Sequence, residues 1–118
     1  MKRLRKTYGC PVELSLDVVG GKWCTVILAW LKEAPHRYGE LRDRMPGLAD
    51  KVLTQRLKEL EMRGLVAKTS GGKGTGHAWQ LTKRGESLRP ALETLYAWGA
   101  AMAAEMDVRI APPRAPGR

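Results

Sequence analysis

The chain has 118 residues, enough for one domain that buries roughly two-thirds of the surface its unfolded form exposes. Its 43% hydrophobic and 28% charged content excludes a disordered body. No apolar run approaches the ~20 residues of a membrane span, Cys24–Leu31 being the longest. Twenty-one Lys and Arg against twelve Asp and Glu leave a net charge of +9, an excess that suits a polyanionic partner through counterion release from a phosphate backbone. Solubility and anionic lipid head groups are the other uses of such a charge.

The basic start, Met1 to Lys6, lacks the apolar stretch of a secretory signal, so the expected place is the cytoplasm and no membrane partner is expected. Two cysteines, Cys10 and Cys24, form at most one bridge, and a reducing cytosol argues against it. With only His36 and His77 beside them the spacing fits no zinc site, and neither a metal nor a cofactor is expected.

Residues 1–9 read as a basic arm and 107–118 as a flexible, Pro-rich tail, neither able to build packed structure, around a domain at 10–106. Within it, Pro11–Val19 predicts a short helix with Val12, Leu16 and Val19 on one face, ended by Gly20-Gly21. Lys22–Lys32 follows, with Trp23, Val26, Ile27, Trp30 and Leu31 at core spacing. Ala34-Pro35 stops that helix. A third helix, Tyr38–Met45, turns Tyr38, Leu41 and Met45 inward and ends at Pro46-Gly47.

The fourth helix, Asp50–Arg63, is the most informative. Leu53, Leu57 and Leu60 form its apolar stripe, while Lys51, Thr54, Gln55 and Lys58 share the opposite face. Gly64 sits where a left-handed cap belongs, with Leu65 closing behind it. The period then changes to alternation over Leu65–Thr69 and again over Ala78–Leu81, two strands around a Gly-rich tip. Thr82 caps a last helix reaching Met106, in which Pro90 predicts either a kink or a late start. Its stripe of Leu88, Leu92, Leu95, Gly99, Met102 and Met106 is longer than a small core can cover, so part of it is expected to meet another subunit.

Helix, helix, helix, hairpin, long helix is the order of a winged helix-turn-helix, a mainly α (α+β) fold with a two-stranded wing and a long C-terminal dimerisation helix. Major-groove reading needs a helix with one greasy face for its domain and one donor-rich face for the bases. Any surface helix has a polar face; its place after a turn and before a basic hairpin gives this one its meaning. Lys51, Thr54, Gln55 and Lys58 are the candidate base readers, with Lys suited to guanine, Gln to adenine and Thr to either. Arg37, Arg56, Lys68, Lys73 and His77 are the candidates for phosphate or the groove walls. Gly71-Gly72-Lys73-Gly74-Thr75 fails as a nucleotide loop, because Ala67 stands where its first glycine belongs and the segment leads to a strand. No acid pair, nucleophile–base pair or metal cluster converges, so an enzyme is not expected.

Cys10-Pro11-Val12, Gly20-Gly21-Lys22-Trp23, Tyr38-Gly39-Glu40-Leu41, the run from Leu53 to Leu60, Gly64-Leu65-Val66 and Leu81-Thr82-Lys83-Arg84-Gly85 are together specific in order and spacing. Over about residues 10–105 the chain resembles the HxlR-type helix-turn-helix transcription regulators of the MarR-like superfamily. The resemblance implies a prokaryotic regulator that binds double-stranded DNA as a homodimer built from its N- and C-terminal helices, here Pro11–Val19 and Thr82–Met106. It makes Cys10 a candidate redox or electrophile sensor, since some members sense through that position; the reading set ahead of it is a small residue closing a dimer contact. Cys24 is expected to be buried and inert. Ala49 stands where the family usually has Ser, which passes the capping role to Asp50, and the wing lacks the family's prolines. A small-molecule effector between the dimer helices is compatible with Trp23, Trp30, Trp79 and Trp98, although such residues more often serve a core. The competing function is a non-specific architectural or RNA-associated protein.

Overall fold

The computed structural model describes residues 3–69 and 76–111. Helix α1, Pro11–Val19, opens on a proline that has no N–H to leave unsatisfied, and closes at Gly20, whose φ of 89° is the left-handed cap. The Gly20-Gly21 pair then bends the chain by 79° into α2, Lys22–Glu33. The face of α2 that is buried outright is Cys24, Ile27, Leu28 and Leu31. Trp23, Val26 and Trp30, expected in the same stripe, lie along its border, half-buried against the core. Cys24 is buried, as its position beside Trp23 suggested.

Strand β1, His36–Arg37, leads into α3, Tyr38–Arg44, where the Arg37 backbone N–H donates to Glu40 Oε1 at 2.7 Å and closes the first turn. Helix α4 is Asp50–Met62, with β2 at Val66–Lys68 and β3 at Ala78–Leu81. The two-stranded hairpin is present, and β1 adds a third strand on its other side. The sheet order is β1-β3-β2, both pairings antiparallel, with His36 opposite Trp79 and Val66 opposite Leu81. A two-residue strand carries no period, so only its partner's backbone could reveal it.

The last helical segment divides at Pro90. A short α5, Lys83–Glu86, is capped by Thr82, whose Oγ1 accepts from the Gly85 N–H at 3.1 Å, and α6 runs from Arg89 to Glu105. Pro90 thus marks a late start, in the first turn where a missing N–H is harmless. Ala49 remains the N-cap of α4 with no side-chain hydrogen bond, and Asp50 enters the first turn instead of taking over the cap. A carboxylate in the first turn acts on the helix dipole without the capping bond.

The core lies where α2, α3 and α4 meet the sheet, with Leu41, Leu53, Leu57, Leu60, Leu65, Val66 and Leu92 among its buried members. Each buried leucine contributes about 1.5–3 kcal/mol over its exposed state. The basic arm is less independent than its composition suggests. Tyr8 Oη donates to Asp17 Oδ2 at 2.8 Å, and Arg5 pairs with Glu13 at 2.9 Å while lying over the Tyr8 ring. One aromatic residue with a partner on α1 is enough to hold the segment down, which a count of charges does not register.

At the end of α4 the chain makes a Schellman turn: Leu65 N–H donates to Leu60 O at 3.0 Å and Gly64 N–H to Glu61 O at 2.9 Å, with Gly64 at φ 77°. Gly85 packs directly on that turn, where a Cβ would stand 2.2 Å from the Leu65 carbonyl oxygen. Gly85→Ala is therefore expected to destabilise the fold by roughly 2–4 kcal/mol, because backbone must move to admit the methyl. Urea unfolding at fixed protein concentration checks this; a loss under ~0.5 kcal/mol would mean the contact is soft.

Candidate nucleic-acid interface

Helix α4 divides its residues between two jobs. Leu53, Leu57 and Leu60 are buried, and Lys51, Thr54, Gln55 and Lys58 are exposed on the opposite side. With Asp50 these four line one open depression on the surface. The residues the sequence singled out as base readers are thus brought together. Their cations and amide carry the donors that guanine and adenine edges accept.

The start of α4 is tied to α3 by a residue that the sequence assigned only to the core. Tyr38 is half-buried, and its Oη donates to Asp50 O at 3.0 Å and accepts from Thr54 Oγ1 at 3.3 Å. The helical spacing identified the ring but not its hydroxyl, whose partners lie 12 and 16 residues along the chain.

The backbone candidates are placed differently from one another. Arg56 is not on the face of Lys51 and Gln55; it lies on the flank of α4, with Nη1 2.9 Å from Glu59 Oε2 and a side chain 30% exposed. Arg37 is exposed in β1, immediately before Tyr38. Lys68 is exposed on β2 with its ammonium 5.3 Å from the centre of the Trp79 ring, and His77 stands exposed at the foot of β3, Nδ1 2.8 Å from Thr69 O. Lys73 lies outside the described residues. Arg84 serves the fold: its Nη1 donates to Arg63 O at 2.8 Å and satisfies the C-terminus of α4.

The two thiols occupy opposite environments. Cys10 is the exposed N-cap of α1. Cys24 is buried, 4.0 Å from Glu59 Oε1, and burial first and the Glu59 carboxylate second push its pKa up to about 11 against the partial offset of Arg56 and Arg63. Among the described residues no group of three or more His, Cys, Asp or Glu could hold a metal ion, and no single helix is long and apolar enough to cross a membrane. Two helices carry uncovered apolar faces. Val12 and Leu16 on α1 are 62% and 66% exposed, and Leu95, Trp98 and Met106 at or beyond the middle of α6 are 56%, 62% and 67% exposed.

Comparison with known proteins places these features. The profile of the HxlR-like helix-turn-helix family matches residues 18–107. The HTH-type transcriptional regulator YtcD of Bacillus subtilis (strain 168) is 39% identical over 97 residues, covering 81% of this chain and 77% of that protein. Among solved structures, the redox regulator HypR in its reduced form superposes with a TM-score of 0.74 at 29% identity, over 85% of this chain and all of the other. The quinone-bound YodB from B. subtilis superposes with a TM-score of 0.64 at 28% identity, over 78% of this chain and 99% of the other.

The contrast between the thiols has a measurable consequence. The neutral Cys24 thiol is kept by the fold, whereas in the unfolded chain it ionises from about pH 9. The native state then holds a proton the unfolded state has lost, so this contribution is present below pH 9 and is lost as pH rises toward about 11. The stability of wild type is expected to fall more steeply than that of Cys24→Ala between pH 8.5 and 10.5 in urea unfolding. Parallel curves would show the thiol to be solvated.

Proposed function

The chain belongs to the HxlR-like helix-turn-helix family of transcriptional regulators, and on that premise we propose that it binds double-stranded DNA sequence-specifically, as a homodimer on a pseudo-palindromic operator. The observation that carries this reading is the exposed face of α4, where Lys51, Thr54, Gln55 and Lys58 stand together on the side away from the core. The two recognition helices enter successive major grooves about one helical turn apart. Residues 10–106 serve as the binding domain. Arg37, Arg56, Lys68, Lys73 and His77 hold phosphate or groove walls, with Arg56 first exchanging its Glu59 partner for a phosphate. The uncovered faces of α1 and α6 support the dimer, since an apolar stripe of that length gains by leaving water.

Cys10 is the proposed sensing thiol. Its exposure at a helix N-terminus supports this, as does the likeness to a redox regulator and to a quinone-bound regulator. A small-molecule effector is compatible with the same dimer region. A second reading, non-specific architectural or RNA binding, draws on the net charge of +9.

Fluorescence anisotropy against the DNA upstream of the protein's own coding region, with scrambled duplex and RNA as competitors at fixed salt, separates the readings. Binding that survives excess scrambled duplex supports the regulator; equal competition, or a preference for RNA, supports the second. Gln55→Ala is expected to relax preference at one base pair by ~1–3 kcal/mol. Lys73→Ala is expected to weaken all sequences alike and lower the salt slope by about one. Equal weakening of every sequence by both changes would remove Gln55 from the base readers. Loss of binding after diamide, restored by thiol and absent in Cys10→Ser, is the outcome expected of a sensor; oxidation without effect would leave Cys10 a packing residue.

A further inference from the structure

The hydroxyl of a helical threonine either bonds the carbonyl three or four residues back or turns outward with its hydrogen free. For Thr54 that carbonyl includes Asp50 O, and here Tyr38 occupies it, its Oη 3.0 Å away. A carbonyl only accepts, so the single hydrogen of Tyr38 is committed to Asp50. The phenol oxygen can then act toward Thr54 only as acceptor, and the 3.3 Å contact between the two hydroxyls has one possible direction, with Thr54 donating. Thr54 has no second hydrogen. What its exposed oxygen offers the open depression it shares with Lys51, Gln55 and Lys58 is lone pairs alone.

We propose that Tyr38 is a positioning residue for DNA readout, which makes Thr54 an acceptor-only reader that selects bases carrying an exocyclic amino group and rejects keto bases. In the major groove the amino groups are adenine N6 and cytosine N4; the keto oxygens are guanine O6 and thymine O4. An amino group on the strand facing Thr54 meets a lone pair and bonds, while a keto oxygen there meets a lone pair and is left unsatisfied. A threonine with a free hydroxyl would accept either. The inference rests on α4 being the reading helix. It narrows the chemistry that one residue of that helix tolerates, and names a residue on α3 as the cause.

Selection of binding sites from a randomised duplex pool tests it, using the full-length wild type, Tyr38→Phe and Thr54→Val. Wild type is expected to favour A or C over G or T roughly five- to ten-fold at one position of each half-site. Thr54→Val identifies that position by losing its preference. In Tyr38→Phe the Thr54 hydrogen loses the phenol oxygen that held it and is free to meet a keto base. The same position then moves toward parity, with the rest of the selected sequence retained. A Thr54-dependent position that prefers G or T in wild type overturns the proposal. So does an unchanged preference in Tyr38→Phe, or a loss of affinity spread equally over all sequences, the mark of a purely structural tyrosine. Failure of wild type to enrich any sequence overturns the specific regulator and this inference together, whereas enrichment with an unaltered Tyr38→Phe preference overturns this inference alone.

Discussion

Backbone passes backbone at Leu65 with no room for a methyl group: a Cβ on Gly85 would lie 2.2 Å from the Leu65 carbonyl oxygen. Around that contact the hydrogen bonds converge. Thr82 N–H donates to Leu65 O at 3.0 Å, Thr82 Oγ1 donates to Gly64 O and accepts from Gly85 N–H, and Arg84 closes the Arg63 carbonyl at 2.8 Å. Four features meet here: the end of α4, the entry to β2, the exit of β3 and the start of α5. The angle between the polar face of α4, the wing and the long C-terminal helix is therefore set by a junction a few residues across. Close packing transmits displacement instead of absorbing it, so an added atom here moves all three.

The opposite end of α4 is held by less. Ala49 caps it with no side-chain hydrogen bond, and the Tyr38 hydroxyl of α3 ties to that first turn through Asp50 O. The last turn of α4 is thus fixed by glycine geometry and a cluster of exposed and part-buried polar bonds, and the first by an exposed hydroxyl relay.

Polar groups behind the helix do different work from those in front. Arg56 and Glu59 pair on the flank, where the Arg56 and Glu59 side chains keep 30% and 16% of their exposure, and Glu59 also faces the Cys24 thiol at 4.0 Å. Partial burial makes this pair worth more than a solvated one, since exposed pairs contribute only about 0–1 kcal/mol. The carboxylate and the apolar surroundings of Cys24 act in the same direction on the thiol and keep it protonated. Cys10 lies outside that enclosure, exposed to solvent.

Most of the architecture was legible in the chain. Periodicity placed α1 through α4, because an amphipathic stripe is a local record of which side meets a core. Gly20, Gly64 and Pro90 marked the breaks, because positive φ and a missing N–H are properties of single residues. The division of α4 into Leu53, Leu57 and Leu60 on one side and Lys51, Thr54, Gln55 and Lys58 on the other was legible for the same reason. Four things were not. β1 is two residues long and exists only through pairing with β3; Tyr8 holds the arm through Asp17; Arg84 bonds the Arg63 carbonyl, 21 positions earlier, at the end of α4; and the Tyr38 hydroxyl directs that of Thr54 across a helix boundary. Each joins groups distant in sequence through one directional bond. A pattern along the chain records burial, which every residue of a face shares, whereas a hydrogen bond between two particular atoms is decided only when the fold brings them within reach.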